Sequence, residues 1–186
     1  MSRLDLTAWL PRWLKRSLGD KRGASAVEFA LIVPFLLTIY IGGLETAQGV
    51  ATFRKLTDTT VELANVTAQY TTMSSTDVSN VMNASAQIMA PFPTSNLSIV
   101  LSEITTDANG NATVTWSRPY NGATAMTVGS PVTLPSGMAT ASASYIFVNT
   151  SYTYVPAIVY GILGSIPLGD QIYMRPRQSA SIPYTS

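Results

Sequence analysis

The chain has 186 residues with no cysteine, no histidine and a formal net charge of +1. These absences exclude a disulfide scaffold, an ordinary zinc site and histidine-based acid–base catalysis. Six of the basic residues (Arg3, Arg12, Lys15, Arg16, Lys21, Arg22) gather before an apolar run, where they read as a membrane-topology signal and not as a nucleic-acid contact.

Residues 1–23 form a basic leader, expected on the cytoplasmic side. Its Leu6, Trp9, Leu10, Trp13 and Leu14 fall at helical spacing, as in a segment lying on a membrane surface, or belong to a disordered leader. From Phe29 to Leu44 sixteen residues carry no charge, and Ala24 to Val27 extend the apolar run toward the N-terminus. At ~1.5 Å per residue, a helix from Ala24 to Leu44 covers roughly 31 Å, the thickness of a bilayer's hydrocarbon core. Residues 24–49 are therefore expected to span a membrane once. Only Arg54 and Lys55 follow closely, so the charge bias holds the N-terminus in the cytoplasm and exports residues 50–186. An exported domain of this size without cystines points to a bacterial envelope protein. Five Asn-x-Ser/Thr sites (Asn65, Asn83, Asn96, Asn111, Asn149) arise easily in a chain this rich in Thr, Ser and Asn.

One acid, Glu28, lies inside the apolar span, where an ionisable group costs on the order of 2.5–3.5 kcal/mol and points to function. Pro34 removes a backbone donor and is expected to kink the helix. Small residues recur four apart at Ala26 and Ala30, then at Gly43, Ala47 and Ala51, a spacing that admits a second helix. The helix is expected to continue to about Tyr70. Its stripe Phe53, Leu56, Thr60, Leu63, Thr67 and Tyr70 would pack on its own domain or, less simply, form a coiled coil.

A second, shorter helix is expected over about 76–89, capped by Ser75 or Thr76 and ended by Pro91 and Pro93. The alternation of Leu97, Ile99 and Leu101, the turn 107–110, and the alternation of Ala112, Val114 and Trp116 predict a β-hairpin. Residues 119–137 read as loop, 139–154 as one or two strands, and 157–168 as a short helix or buried loop. Residues 171–177 read as a closing strand with Pro176 at its edge. The order predicts an α+β fold, with a long N-terminal helix, a short second helix and an antiparallel sheet.

Nothing in the sequence assembles an active site. The carboxylates Asp58, Glu62, Asp77, Glu103, Asp107 and Asp170 are scattered, and no nucleophile-elbow or phosphate-loop pattern occurs. Two carboxylates suffice for glycosidase chemistry, but Asp58 and Glu62 read as a solvated helix surface beside Arg54. No enzyme activity and no cofactor or metal are expected.

The string Arg22-Gly-Ala-Ser-Ala-Val-Glu-Phe29 resembles the processing site of type IV prepilins, cut after a Gly that is followed five residues later by Glu. The wider segment RGASAVEFALIVPFLLTIYIGGLE resembles TadE-like proteins of the tight-adherence (Tad/Flp, type IVc) pilus system, and the tail Tyr173-Met-Arg-Pro-Arg177 is similar to the end of that family. The resemblance implies a pilin-like fold and a minor pilin or pseudopilin, because the chain is far longer than the small major pilins. It implies a prepilin peptidase that cuts between Gly23 and Ala24, and other pilin subunits as partners. Glu28, with Phe29 after it, would meet the α-amino group of a neighbouring subunit. Two readings compete: a signal peptide cut at Ala47-Gln48-Gly49, releasing a chain from Val50, and an uncleaved single-pass anchor displaying a binding domain.

Overall fold

The computed structural model describes residues 21–158 and 160–185; the leader and its Trp9 and Trp13 lie outside the described residues. The run of helix formers that begins before the apolar segment carries one helix, α1, over Lys21–Thr67. The assignment continues unbroken through Pro34, and the Thr38 hydroxyl donates to the Pro34 carbonyl at 2.8 Å. The chain divides after Leu44 into two compact units.

Beyond Glu45, α1 packs into its domain through Leu56, Thr60, Leu63, Ala64 and Thr67, all fully buried. From Leu56 to Thr67 the helix stripe is thus a core face, while Phe53 is exposed and Tyr70 lies beyond the helix end. Thr60 is accommodated there because a helical hydroxyl can bond back one turn, whereas the buried Thr67 hydroxyl has no hydrogen-bond partner among the described residues. Thr59 and Thr60 each donate to the carbonyl four residues earlier at 2.8 Å, and Thr60 meets the Thr150 hydroxyl across the core at 2.6 Å.

The short strand β1 (Met73–Ser74) leads into α2 (Ser75–Ala86), followed by a 3₁₀ turn at Gln87–Met89. The cap is Ser74, one residue before the expected Ser75, because the reciprocal partner is Asp77. The Ser74 hydroxyl accepts from the Asp77 N–H at 3.2 Å, and the Ser74 N–H donates to Asp77 Oδ2 at 2.9 Å. This capping box satisfies two otherwise orphaned donors, and Ser74→Ala is expected to cost about 1 kcal/mol. The bonds from Ser74 also hold the Asp77 carboxyl below its ordinary range. A depressed acid contributes stability above its unfolded-state pKa and loses it as pH falls through the folded-state value. The urea midpoints of wild type and Ser74→Ala are therefore expected to differ at neutral pH and converge in acid; a gap independent of pH would contradict this.

The expected hairpin forms as β2 (Leu97–Thr106) and β3 (Ala112–Tyr120). Asp107 closes its turn, its Oδ1 accepting from the N–H groups of Asn109 and Asn111, each at 2.8 Å. A two-residue strand, β4 (Pro131–Val132), interrupts the segment expected to be only loop. Residues 139–154 contribute one strand, β5 (Ser144–Tyr154). After the short helix α3 (Tyr160–Leu163), β6 (Ile166–Met174) closes the sheet, starting five residues before the expected closing strand. The five-stranded antiparallel order is β4-β3-β2-β5-β6, and a separate parallel pair joins β1 to β7 (Tyr184–Thr185). The fold is α+β.

One sheet face carries Ile99, Leu101, Trp116, Ile146, Val148 and Tyr152 against the helices. On the opposite face, reached by ordinary alternation, Ile104 and Phe147 form a smaller cluster covered by Met126, Val132 and Leu134, and a bulge at Thr115 of β3 brings Val114 opposite Ile104. The C-terminal tail returns to the helical side, where the Arg177 N–H donates to the Ala68 carbonyl at 2.8 Å and its guanidinium to Asn65 Oδ1 at 2.6 Å.

Candidate functional site

The N-terminal half of α1 is apolar on every side and exposed on nearly every side. Val27, Phe29, Leu31, Phe35, Ile39 and Tyr40 are all more than half accessible, reaching 72% at Ile39. A helix that is hydrophobic all round is stable when lipid or other helices cover it. This one is long and apolar enough to cross a membrane.

Each residue singled out from the sequence lies on this helix. Gly23, Ala26, Glu28, Phe29, Ala30, Pro34, Gly43 and Ala47 are exposed, and Ala24 lies between them in the same helical backbone. The Glu28 carboxylate makes no hydrogen bond or ion pair among the described residues. A Cβ built on Gly23, Gly42 or Gly43 meets nothing within 4 Å, so packing within the chain does not require glycine there. Each such glycine costs the helix about 1 kcal/mol relative to alanine.

Glu45, read from sequence only as the end of the charge-free run, is 7% exposed. Its Oε1 accepts from the Ile158 N–H at 2.6 Å, and its Oε2 accepts from the Tyr154 hydroxyl at 3.0 Å. Burial first, then the hydrogen bond and charge of Glu45, push the Tyr154 hydroxyl above its ordinary pKa. The first acid after the apolar run therefore fastens the end of β5 and the start of the following connection. Nothing local to Glu45 signals partners 109 and 113 residues away.

The remaining carboxylates are spread over separate elements. Asp58 and Glu62 lie exposed on α1, Asp77 caps α2, Asp107 closes the hairpin turn, and Asp170 Oδ1 accepts from the Gln171 N–H at 2.9 Å. Glu103 is 1% exposed and bonded to Ser144 and Ile182. Among the described residues no two carboxylates share a hydrogen-bond network.

Helix and domain together define an α+β protein with, among the described residues, one helix fit to cross a membrane. Residues 23–64 match the family described as TadE-like protein, so the chain carries a TadE-like segment, and the match links it to Tad pilus systems. That segment contains every residue from Gly23 to Ala47 discussed above, and Glu45 as well; the tail at 173–177 lies outside it. No curated protein and no solved structure matches the chain.

Proposed function

We propose that this chain is a minor pilin or pseudopilin that takes part in assembling a Tad/Flp (type IVc) pilus, with no catalytic role. A prepilin peptidase cuts after Gly23. Residues 24–49 hold the product in the bacterial inner membrane, with the leader 1–23 cytoplasmic and residues 50–186 periplasmic. During assembly the helix leaves lipid for a bundle of pilin helices, where Glu28 meets the α-amino group of a neighbouring subunit's Ala24 and Phe29 packs beside it. Ala26, Ala30, Gly43 and Ala47 let neighbouring helices approach, and Pro34 bends the helix.

The observation that carries this reading is a TadE-like helix whose apolar surface is exposed on nearly every side. The glycines support it, since Gly23 and Gly43 weaken the helix without any packing need inside the chain, as expected where outside partners require them. The signal-peptide alternative fits less well. A cut after Gly49 would remove Glu45 and leave the Tyr154 hydroxyl and Ile158 N–H without their acceptor.

The test is the N-terminus of protein extracted from membranes with and without a prepilin peptidase. The expected sequence begins at Ala24 with the peptidase and at Met1 without it. Gly23→Leu is expected to leave only the precursor. A mature end at Val50 would support secretion, and an intact Met1 end in the presence of the peptidase would support a simple anchor.

A further inference from the structure

The segment joining β5 to β6 was expected to be a short helix or buried loop. It contains a short helix, and several of its large apolar side chains face outward. Val155, Ile158, Tyr160 and Ile166 are exposed, Ile158 by 61%, and no charged residue occurs between Arg118 and Asp170. A charge-free hairpin connection with several large apolar side chains in solvent is unusual for a water-facing loop. Its attachment is specific: the Ile158 N–H and the Tyr154 hydroxyl both donate to Glu45.

We infer that this connection seats in the lipid headgroup region at the outer end of the helical span, as a second membrane contact. The inference rests on the proposed membrane-anchored state. Glu45 is the first charged residue after the run Phe29–Leu44, so a helix spanning the bilayer through that run brings Glu45 to the interface. The hydrogen bonds then fix the level of the connection, because Ile158 is tied directly to the Glu45 carboxylate. The bond also satisfies the Ile158 N–H, which would otherwise be costly to bury away from water. Tyr160 supplies an aromatic ring with a polar tip, the type of side chain enriched at membrane interfaces. Amphipathic elements at this depth sink about 5–10 Å into the headgroup and acyl boundary. Lipid is favoured over a protein partner because Ile158 is tied to Glu45, the residue that directly follows the charge-free run.

The chain lacks cysteine, so single-cysteine variants of the full-length protein can carry an environment-sensitive fluorophore at one site each. Ile158→Cys reports on the connection, Ile39→Cys on the span, and Val128→Cys on an exposed apolar position in another loop. Each is reconstituted into phosphatidylethanolamine–phosphatidylglycerol vesicles containing lipids with nitroxides at shallow or deep positions. Ile39 is expected to be quenched by lipid nitroxides, Ile158 most strongly by the shallow ones, and Val128 by neither. Quenching at Ile39 with Ile158 behaving like Val128 overturns this inference and leaves the anchor standing. Absence of quenching at Ile39 overturns the anchor and this inference with it. If the Ile158 probe is shielded from both lipid nitroxides and aqueous iodide, protein covers the connection and the lipid assignment is wrong.

Discussion

Glu28→Ala is expected to leave cleavage after Gly23 intact while keeping the mature protein out of the assembled pilus complex. The two effects separate because they depend on different partners. In lipid the exposed acid of a single chain is accommodated at modest cost, and the protein remains membrane-bound. In a packed helix bundle the same carboxylate loses water and must meet a cation. In the proposed assembly the neighbour's α-amino group at Ala24 is such a cation, created by processing. Deleting the acid leaves that amine buried and unpaired, which costs about 3–5 kcal/mol and lowers incorporation on the order of 100-fold or more. Glu28→Asp keeps the charge on a shorter arm and should retain part of the incorporation. The measurement compares the amount of each variant in sheared or co-purified pilus material with its amount in membranes. Normal incorporation of Glu28→Ala would remove the pairing from the mechanism, even with the Ala24 end confirmed.

The long helix was legible because its signals are local: a charge-free run, a prolyl residue tolerated in a membrane helix, then a stripe at three- and four-residue spacing. Thr60 and Thr67 weakened that stripe on paper, yet both are fully buried. A threonine in a helix behaves as a small packing residue once its hydroxyl bonds back to the preceding turn, as Thr60 does to Leu56; Thr67 is buried without such a bond. The hairpin was legible for a similar reason, with alternation on either side of a turn closed by Asp107 through Asn109 and Asn111. Local pattern also misplaced the cap by one residue, because Ser74, Ser75 and Thr76 are all competent caps and only Asp77's reciprocal bond selects among them. The connection 157–168 was ambiguous because an apolar run reads alike whether protein or lipid covers it. What stayed hidden were the two buried acids. Glu45 and Glu103 find partners up to 113 and 79 residues away, and no periodicity encodes that distance.

Glu103→Leu is expected to be the most damaging single change in the α+β domain. Glu103 sits beside the β3 bulge on the helical face of the sheet, opposite Trp116, and is 1% exposed. Its Oε1 accepts from the Ser144 hydroxyl at 2.7 Å and from the Ile182 N–H at 2.6 Å. The Ile182 carbonyl in turn accepts from Trp116 Nε1 at 2.8 Å, so a single residue of the tail is held on both sides. The neighbouring Pro183 carbonyl accepts from the Met73 N–H at 3.0 Å, which places β7 beside β1. Leucine at 103 preserves apolar volume but leaves a buried N–H and a buried hydroxyl without an acceptor, at about 1–3 kcal/mol each. A combined loss of roughly 4 kcal/mol corresponds to a fall in melting temperature on the order of 10 °C for a domain of this size. Glu103→Gln separates hydrogen bonding from bulk. Both donors share one oxygen, and the glutamine carbonyl can occupy its place, so this variant should recover most of the stability. Thermal and urea unfolding in detergent of the full chain with Trp9→Phe and Trp13→Phe, followed by emission of the remaining Trp116, checks both variants. Equal stability of Glu103→Leu and wild type would mean that the tail is held without the acid.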